Sequence, residues 1–192
     1  MLIEKWFPTF IAQDALPNVS LINEQLAVLA YKIKESDSTV TQWRCNTYSS
    51  IKVDIKEHKS DCMEYLLSQI VERVFSFAEK VEPITSNTKI ECTGVWFNIA
   101  ERTQYQEIHS HIGDHFSVVY YVQAGKDCGD IVFHDTKSFL CGNSFAKELP
   151  TCAYKAREGN LLVFKSETLH QVMPNDSEKD RISVALNFKL VG

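Results

Sequence analysis

The sequence predicts a mainly β protein, an antiparallel jelly roll with flanking N-terminal helices. Three observations carry this. Before about residue 88 the apolar residues fall in two stretches at helical spacing. From Lys89 onward, short runs rich in Val, Ile, Phe and Tyr are separated by clusters of Gly, Asn, Asp, Pro and Ser. Too few helical patterns lie between those runs to build parallel βαβ units, so the strands pair antiparallel and the helices are left to cover one sheet face. A chain of 192 residues suits one domain, with 1–88 as helical buttress and entry strands and 89–192 as the β core.

Pro8 and Pro17 bracket Phe10, Ile11 and Leu16, which predicts an extended entry strand ending in a turn. Asn18 is placed to cap a helix over 19–36, whose Ile22, Leu26, Leu29 and Ile33 form one stripe. Residues 36–42 are polar and turn-like. Residues 43–54 read as extended, with Tyr48, Ile51 and Val53 available for burial. Ser60 and Asp61 signal a second helix with Met63, Leu66, Leu67, Ile70, Val74, Phe77 and Ala78 on one face, ending near Pro83. Both helices are scaffold. Strands follow at 90–99, 115–124, 129–134, 159–165 and 181–190, while the irregular stretch 135–156 reads as an arm over the site mouth.

Bulk composition narrows the function classes. Apolar residues make up 44% and aromatics 11%, which rules against disorder. A net charge of −5 gives no electrostatic reason to expect nucleic-acid backbone binding. The six cysteines lie far apart with no Cys-x-x-Cys pair, so neither a zinc knuckle nor a thioredoxin motif is present. The start lacks the order of a secretory signal, so the cysteines read as reduced thiols in a cytoplasm, a host's if the chain is phage-encoded. No apolar run is long enough to span a bilayer.

The chemistry concentrates in residues 96–123, which hold His109, His111 and His115. In a strand, i and i+2 point to one face, so His109 and His111 can offer two imidazoles to one metal ion. His170 follows a core strand far downstream and is the candidate third ligand. Two close ligands and one distant one make a facial triad with cis positions left open. Asp114 is the rival second ligand, reached through a tight turn at Gly113; strand geometry favours His111, which needs no special backbone. His115 reads as solvent-facing or beside the site, and His134 as solvent-facing. Arg181 lies eleven residues past His170 in an otherwise apolar strand, with Ser183 on the same face. A buried arginine is expensive unless paired, and no acidic residue occurs from 182 to 192, which argues for an anionic ligand or a carboxylate from elsewhere in the chain. Asn98 and Asn187 are amides inside β runs that need partners.

This pattern resembles the Fe(II)/2-oxoglutarate-dependent oxygenase superfamily, and within it a branch of small members from phages and marine bacteria. The resembling features are Trp6-Phe7-Pro8-Thr9, the stretch 43–50, Trp96-Phe97-Asn98, the His-x-His, and the strand that begins Ser117-Val118-Val119-Tyr120-Tyr121. The resemblance implies a double-stranded β-helix enclosing Fe(II) and 2-oxoglutarate, with dioxygen as co-reactant and an unidentified primary substrate. It implies His109, His111 and His170 at the metal. It also implies that Arg181, Ser183 and Tyr121 hold the far carboxylate of 2-oxoglutarate, with Asn98 and Asn187 near it and residues 43–50 at the site entrance. The superfamily usually has His-x-Asp; His111 stands where that Asp is expected. Loss of the anionic ligand leaves the site one unit more positive and shifts its redox potential and metal preference. Two other readings stay open: a three-histidine cupin-type metalloenzyme without 2-oxoglutarate, and a non-catalytic jelly-roll binding module. Neither substrate nor oligomeric state is encoded in readable form.

Overall fold

A computed structural model describes residues 1–2, 8–39, 41–55, 58, 60–135 and 151–192. Two antiparallel sheets face each other. The larger has six strands in the order β1 (Ile11–Ala15), β8 (Asn160–Lys165), β5 (Phe116–Gln123), β10 (Arg181–Val191), β3 (Lys89–Ala100), β2 (Tyr48–Ser49). The smaller has four: β4 (Gln106–His109), β9 (His170–Val172), β6 (Ile131–His134) and β7 (Thr151–Tyr154). This is a double-stranded β-helix. Its cavity lies between the sheets, and two helices, α1 (Ser20–Ser36) and α2 (Asp61–Val81), cover the outer face of the larger one.

Strand period two sorts the side chains of that larger sheet into two sets. On β10, Ile182, Val184, Leu186 and Phe188 join Leu26, Ile33, Leu66, Ile70 and Val74 of the helices in the main core. The alternate residues Arg181, Ser183 and Ala185 line the interior cavity. β8 divides in the same way: Leu161 and Val163 face the helices, whereas Leu162 and Phe164 pack with Ile131, Phe133 and Val172 between the sheets. One face of each strand holds the buttress and the other builds the site.

The helices form where the apolar stripes predict. On α1, Leu26, Ala30 and Ile33 are buried together with Asn23, whose Oδ1 accepts the Tyr120 hydroxyl proton at 2.7 Å. Asn18 does not cap it. Asn18 takes a positive φ of 55°, Val19 occupies the cap position, and no side chain bonds the free amides there. α2 begins after Ser60 with Asp61 and Glu64 in its first turn, where carboxylates favour the helix dipole.

Several boundaries differ from the sequence reading. Residues 43–54 contain only the two-residue strand β2; the rest is turn, and Ile51 is 44% exposed. β4 and β9 escape prediction because each is short and its ladder is broken or brief. β7 lies inside the stretch expected to be irregular, while the remainder of that arm, 136–150, falls outside the described residues, as do Trp6 and Phe7. The entry strand expected between Pro8 and Pro17 is β1, and with β2 it joins the larger sheet. Among the described residues no helix is long and apolar enough to cross a membrane, and the described cysteines form no disulfide.

Candidate metal centre and anion pocket

His109 and His170 are register partners across β4 and β9, so the antiparallel pairing sets their side chains opposite each other on one face. Their ring centroids lie 4.2 Å apart. His111 lies two residues past His109, beyond the end of β4, where its backbone N–H donates to the Ser166 carbonyl at 2.8 Å. Its ring sits 5.2 Å from that of His109 and 5.3 Å from that of His170. One nitrogen from each of the three imidazoles lies within 4.8 Å of the others. Among the described residues this is the one such cluster of His, Cys, Asp or Glu.

The orientation of two rings is fixed by the backbone. His109 Nδ1 lies 2.7 Å from the Glu107 carbonyl and His170 Nδ1 lies 2.9 Å from the Thr168 carbonyl. A carbonyl only accepts, so each Nδ1 carries the proton and each Nε2 keeps its lone pair, the tautomer a metal ligand needs. Burial adds to this. It holds His109 below the ordinary histidine value; burial and the neighbouring His109 hold His111 down at about 4, and the same two causes hold His170 at about 3. All three are neutral donors near neutral pH.

The imidazoles open onto a cavity of about 900 Å³. Trp43 stands edge-on to His109 at 4.9 Å, and Trp96 lies 5.5 Å from His111, so an indole flanks the triad on each side. Deeper in, Arg181 is 3% exposed and forms no salt bridge among the described residues. Its Nη1 donates to the carbonyls of Cys128, Gly129 and Met173. Those dipoles orient the guanidinium without neutralising it, and burial pulls its pKa down. Tyr121 and Ser183 are register partners on β5 and β10, and Ser183 also pairs with Asn98 on β3. All three line the cavity with Arg181. The Tyr121 hydroxyl and Asn98 Oδ1 are buried with no hydrogen-bond partner among the described residues, and desolvation raises the Tyr121 pKa.

Two further predicted residues lie elsewhere. Asn187 was expected near the cosubstrate. It shares the inner face of β10 with Arg181, but six residues at about 3.3 Å each carry it some 20 Å along the strand. There it accepts from Ser117 Oγ and donates to Asp114 Oδ2, at the wall of a second cavity. Asp114 accepts from Thr93 Oγ1 at 2.7 Å and from Asn187 at 3.0 Å, and it is not part of the imidazole cluster. His115 is exposed and accepts the Leu190 N–H; His134 lines a separate cavity with its Nε2 unpartnered.

Gly129 was missed by sequence reasoning. At φ +91 it turns the chain after Cys128, and a Cβ there would meet the carbonyls of Met173 and Pro174 and come within 2.6 Å of Arg181 Nη1. Only a residue without a side chain leaves room for the carbonyl cradle. The Met173 carbonyl reaches that cradle from the loop ahead of β10, which the fully buried Asn175 organises by donating to the Ala100 and Lys179 carbonyls and accepting from Ser177.

The donor set fits an iron-type cation and a dicarboxylate: three neutral imidazoles at one point, and a buried, unneutralised arginine beside an unpartnered hydroxyl in the same cavity. The family model described as "Putative 2OG-Fe(II) oxygenase" matches residues 94–187. No curated protein matches the chain. Among solved structures it is similar to a prolyl-4-hydroxylase from Pseudomonas putida, at 16% identity and TM-score 0.65, covering 96% of this chain and 94% of that one. It is similar also to the viral collagen prolyl hydroxylase of Paramecium bursaria Chlorella virus-1, at 12% identity and TM-score 0.62, covering 93% and 94%. A third is HygX from Streptomyces hygroscopicus, solved with nickel and 2-oxoglutarate, at 10% identity and TM-score 0.64, covering 94% and 83%. At such identities the likeness is one of fold.

Proposed function

We propose that this chain, whose residues 94–187 match the family model described as "Putative 2OG-Fe(II) oxygenase", is a hydroxylase-type dioxygenase of that family that holds Fe(II) through His109, His111 and His170. The observation that carries the reading is the pairing, in one cavity, of three converged imidazoles with a buried arginine that no carboxylate among the described residues neutralises. When bound, iron with 2-oxoglutarate and dioxygen supplies the oxidant for an unactivated C–H bond, whose usual product is an alcohol.

The chain's own residues bind and orient. Arg181, kept charged and aimed by its three carbonyls, holds the far carboxylate of 2-oxoglutarate, with Ser183 and Tyr121 as hydroxyl donors and Asn98 beside them. The Glu107 and Thr168 carbonyls keep the His109 and His170 rings in the liganding tautomer. Trp43 and Trp96 exclude water from the triad's flanks and wall the approach of the primary substrate.

The all-imidazole donor set, lacking a carboxylate, favours one rival: a cupin-type metalloenzyme in which Arg181 binds the substrate's own acid group. One experiment sorts the two. Anaerobic addition of Fe(II) and then 2-oxoglutarate should give a weak visible charge-transfer band that Arg181→Ala abolishes, and aerobic incubation should release succinate. Fe(II) binding with neither band nor succinate would overturn the 2-oxoglutarate reading in favour of the rival.

A further inference from the structure

The turn that carries His111 has little packing of its own. β4 ends at His109, Ile112 is 92% exposed, and Gly113 takes φ 109°. Yet both ends of the turn are tied into one hydrogen-bonded ring, buried at Ser117, Ser166 and Asn187 and open to solvent at Thr93. At its start, the His111 N–H donates to the Ser166 carbonyl. At its end, the Asp114 carboxylate accepts from the Asn187 amide at 3.0 Å and from the Thr93 hydroxyl at 2.7 Å. Asn187 Oδ1 accepts from the Ser117 hydroxyl at 2.8 Å, and that hydroxyl lies 2.8 Å from Ser166 Oγ, which closes the ring.

The strands are shaped to deliver these groups. The β10–β3 register jumps from Asn187 opposite Gly94 to Phe188 opposite Cys92, so Thr93 is the extra residue of a bulge. A bulge re-aims a side chain, and here the re-aimed hydroxyl meets Asp114. Ser166 is fully buried, Ser117 is 2% exposed and Asn187 9%. Polar groups this enclosed persist as a satisfied network, and such networks rigidify what they hold.

We propose that Asn187 is a positioning residue of the metal site. Through Asp114 and Ser117 it fixes both ends of the turn and thereby the third imidazole. The inference rests on the three-histidine reading, and it assigns Asn187 to the support of a metal ligand instead of to the cosubstrate. It also gives Asp114 a part: the carboxylate three residues past His111 anchors the ligand's turn without being a ligand.

The test is titration of the metal-free protein with Co(II) alone, in the absence of 2-oxoglutarate and substrate, read by visible absorption bands and affinity. Outer partners of metal ligands typically contribute 10- to 100-fold in affinity. Asn187→Ala should therefore bind Co(II) about 10- to 100-fold more weakly with altered bands, while circular dichroism stays unchanged. Asp114→Ala should match it, and the double variant should be no weaker than either single, since the two act through one contact. Thr93→Val, at an exposed position, should show a smaller loss and decides the matter if Asn187→Ala does not fold. Co(II) binding by Asn187→Ala within twofold of the parent with unchanged bands, or by Thr93→Val at parental affinity where it decides, overturns the proposal. So does loss of all binding in Asp114→Ala, which would make Asp114 a ligand. A parent protein that binds no Co(II) overturns the three-histidine reading itself, a result separable from the others.

Discussion

Replacing Arg181 by Leu removes a buried charge and strands three backbone carbonyls. Truncating one partner of a buried charged pair typically costs about 2–5 kcal/mol, so 2-oxoglutarate binding should weaken by roughly 30-fold or more. Calorimetric titration with the unreactive analogue N-oxalylglycine reads this directly; unchanged affinity would place the anion elsewhere. The imidazoles give a second expectation at this scale. Unfolded histidines take up protons below about pH 6.5, whereas folded His111 resists until about 4 and His170 until about 3. The unfolded state therefore binds more protons in that window, and stability of the metal-free protein falls as pH drops through it. Thermal melts in chelator between pH 7 and 4 should show the fall, made shallower in His170→Gln. The site was partly legible residue by residue. Arg-x-Ser is a local pattern that strand period converts into a shared face, whereas His111 reaches the cavity of His109, Arg181 and Ser183 from a turn past the end of β4 and not by the strand geometry expected of His-x-His. Asn187 misled because a buried amide's need for a partner does not say which partner, here Ser117 and Asp114, and Gly129 was silent because its role depends on Arg181, 52 residues away.

At the scale of elements, the turn between β5 and β6 is what sets the arginine's cradle. Gly129→Ala adds a methyl where Met173 and Pro174 carbonyls already crowd, at a φ that L side chains rarely adopt. We expect about 1–3 kcal/mol of destabilisation by urea denaturation, with analogue affinity falling alongside. The α1–β5 contact gives another case. Tyr120→Phe leaves Asn23 Oδ1 buried without its donor and should cost about 1–3 kcal/mol while leaving metal binding unchanged. Elements with long periodic signals, α1, α2, β3, β5, β8 and β10, could be read from sequence to within a few residues. Of the smaller sheet only β6, expected at 129–134, could be read; β4, β7 and β9 could not. Those strands of three or four residues carry too little alternation to distinguish from loop, and their existence depends on pairing partners distant in sequence.

On the scale of the whole molecule, the larger sheet is a shared wall between a structural core and a chemical cavity. Leu66 is fully buried in that core and lies outside the cavity lining. Leu66→Ala should cost about 2–5 kcal/mol in unfolding free energy, yet the folded protein should retain its Co(II) affinity, measured well below its melting temperature. A parallel loss of metal affinity would mean that the two sides of the wall are mechanically coupled. The match over residues 94–187 runs from the middle of β3 through most of β10 and leaves out both helices, as expected if the helices serve burial and the strands serve chemistry.

The division of β10 into two interleaved sets carries a consequence for how such a protein can change over time. The cavity-facing Ala185 can be exchanged for a new recognition group while its even-numbered neighbours go on gripping the helices. A one-codon insertion or deletion within the strand has no such freedom: it would swing a guanidinium into greasy surroundings and present leucine to the reaction chamber in one stroke. Point replacement is therefore the open route to altered chemistry here, and length variation belongs in the loops.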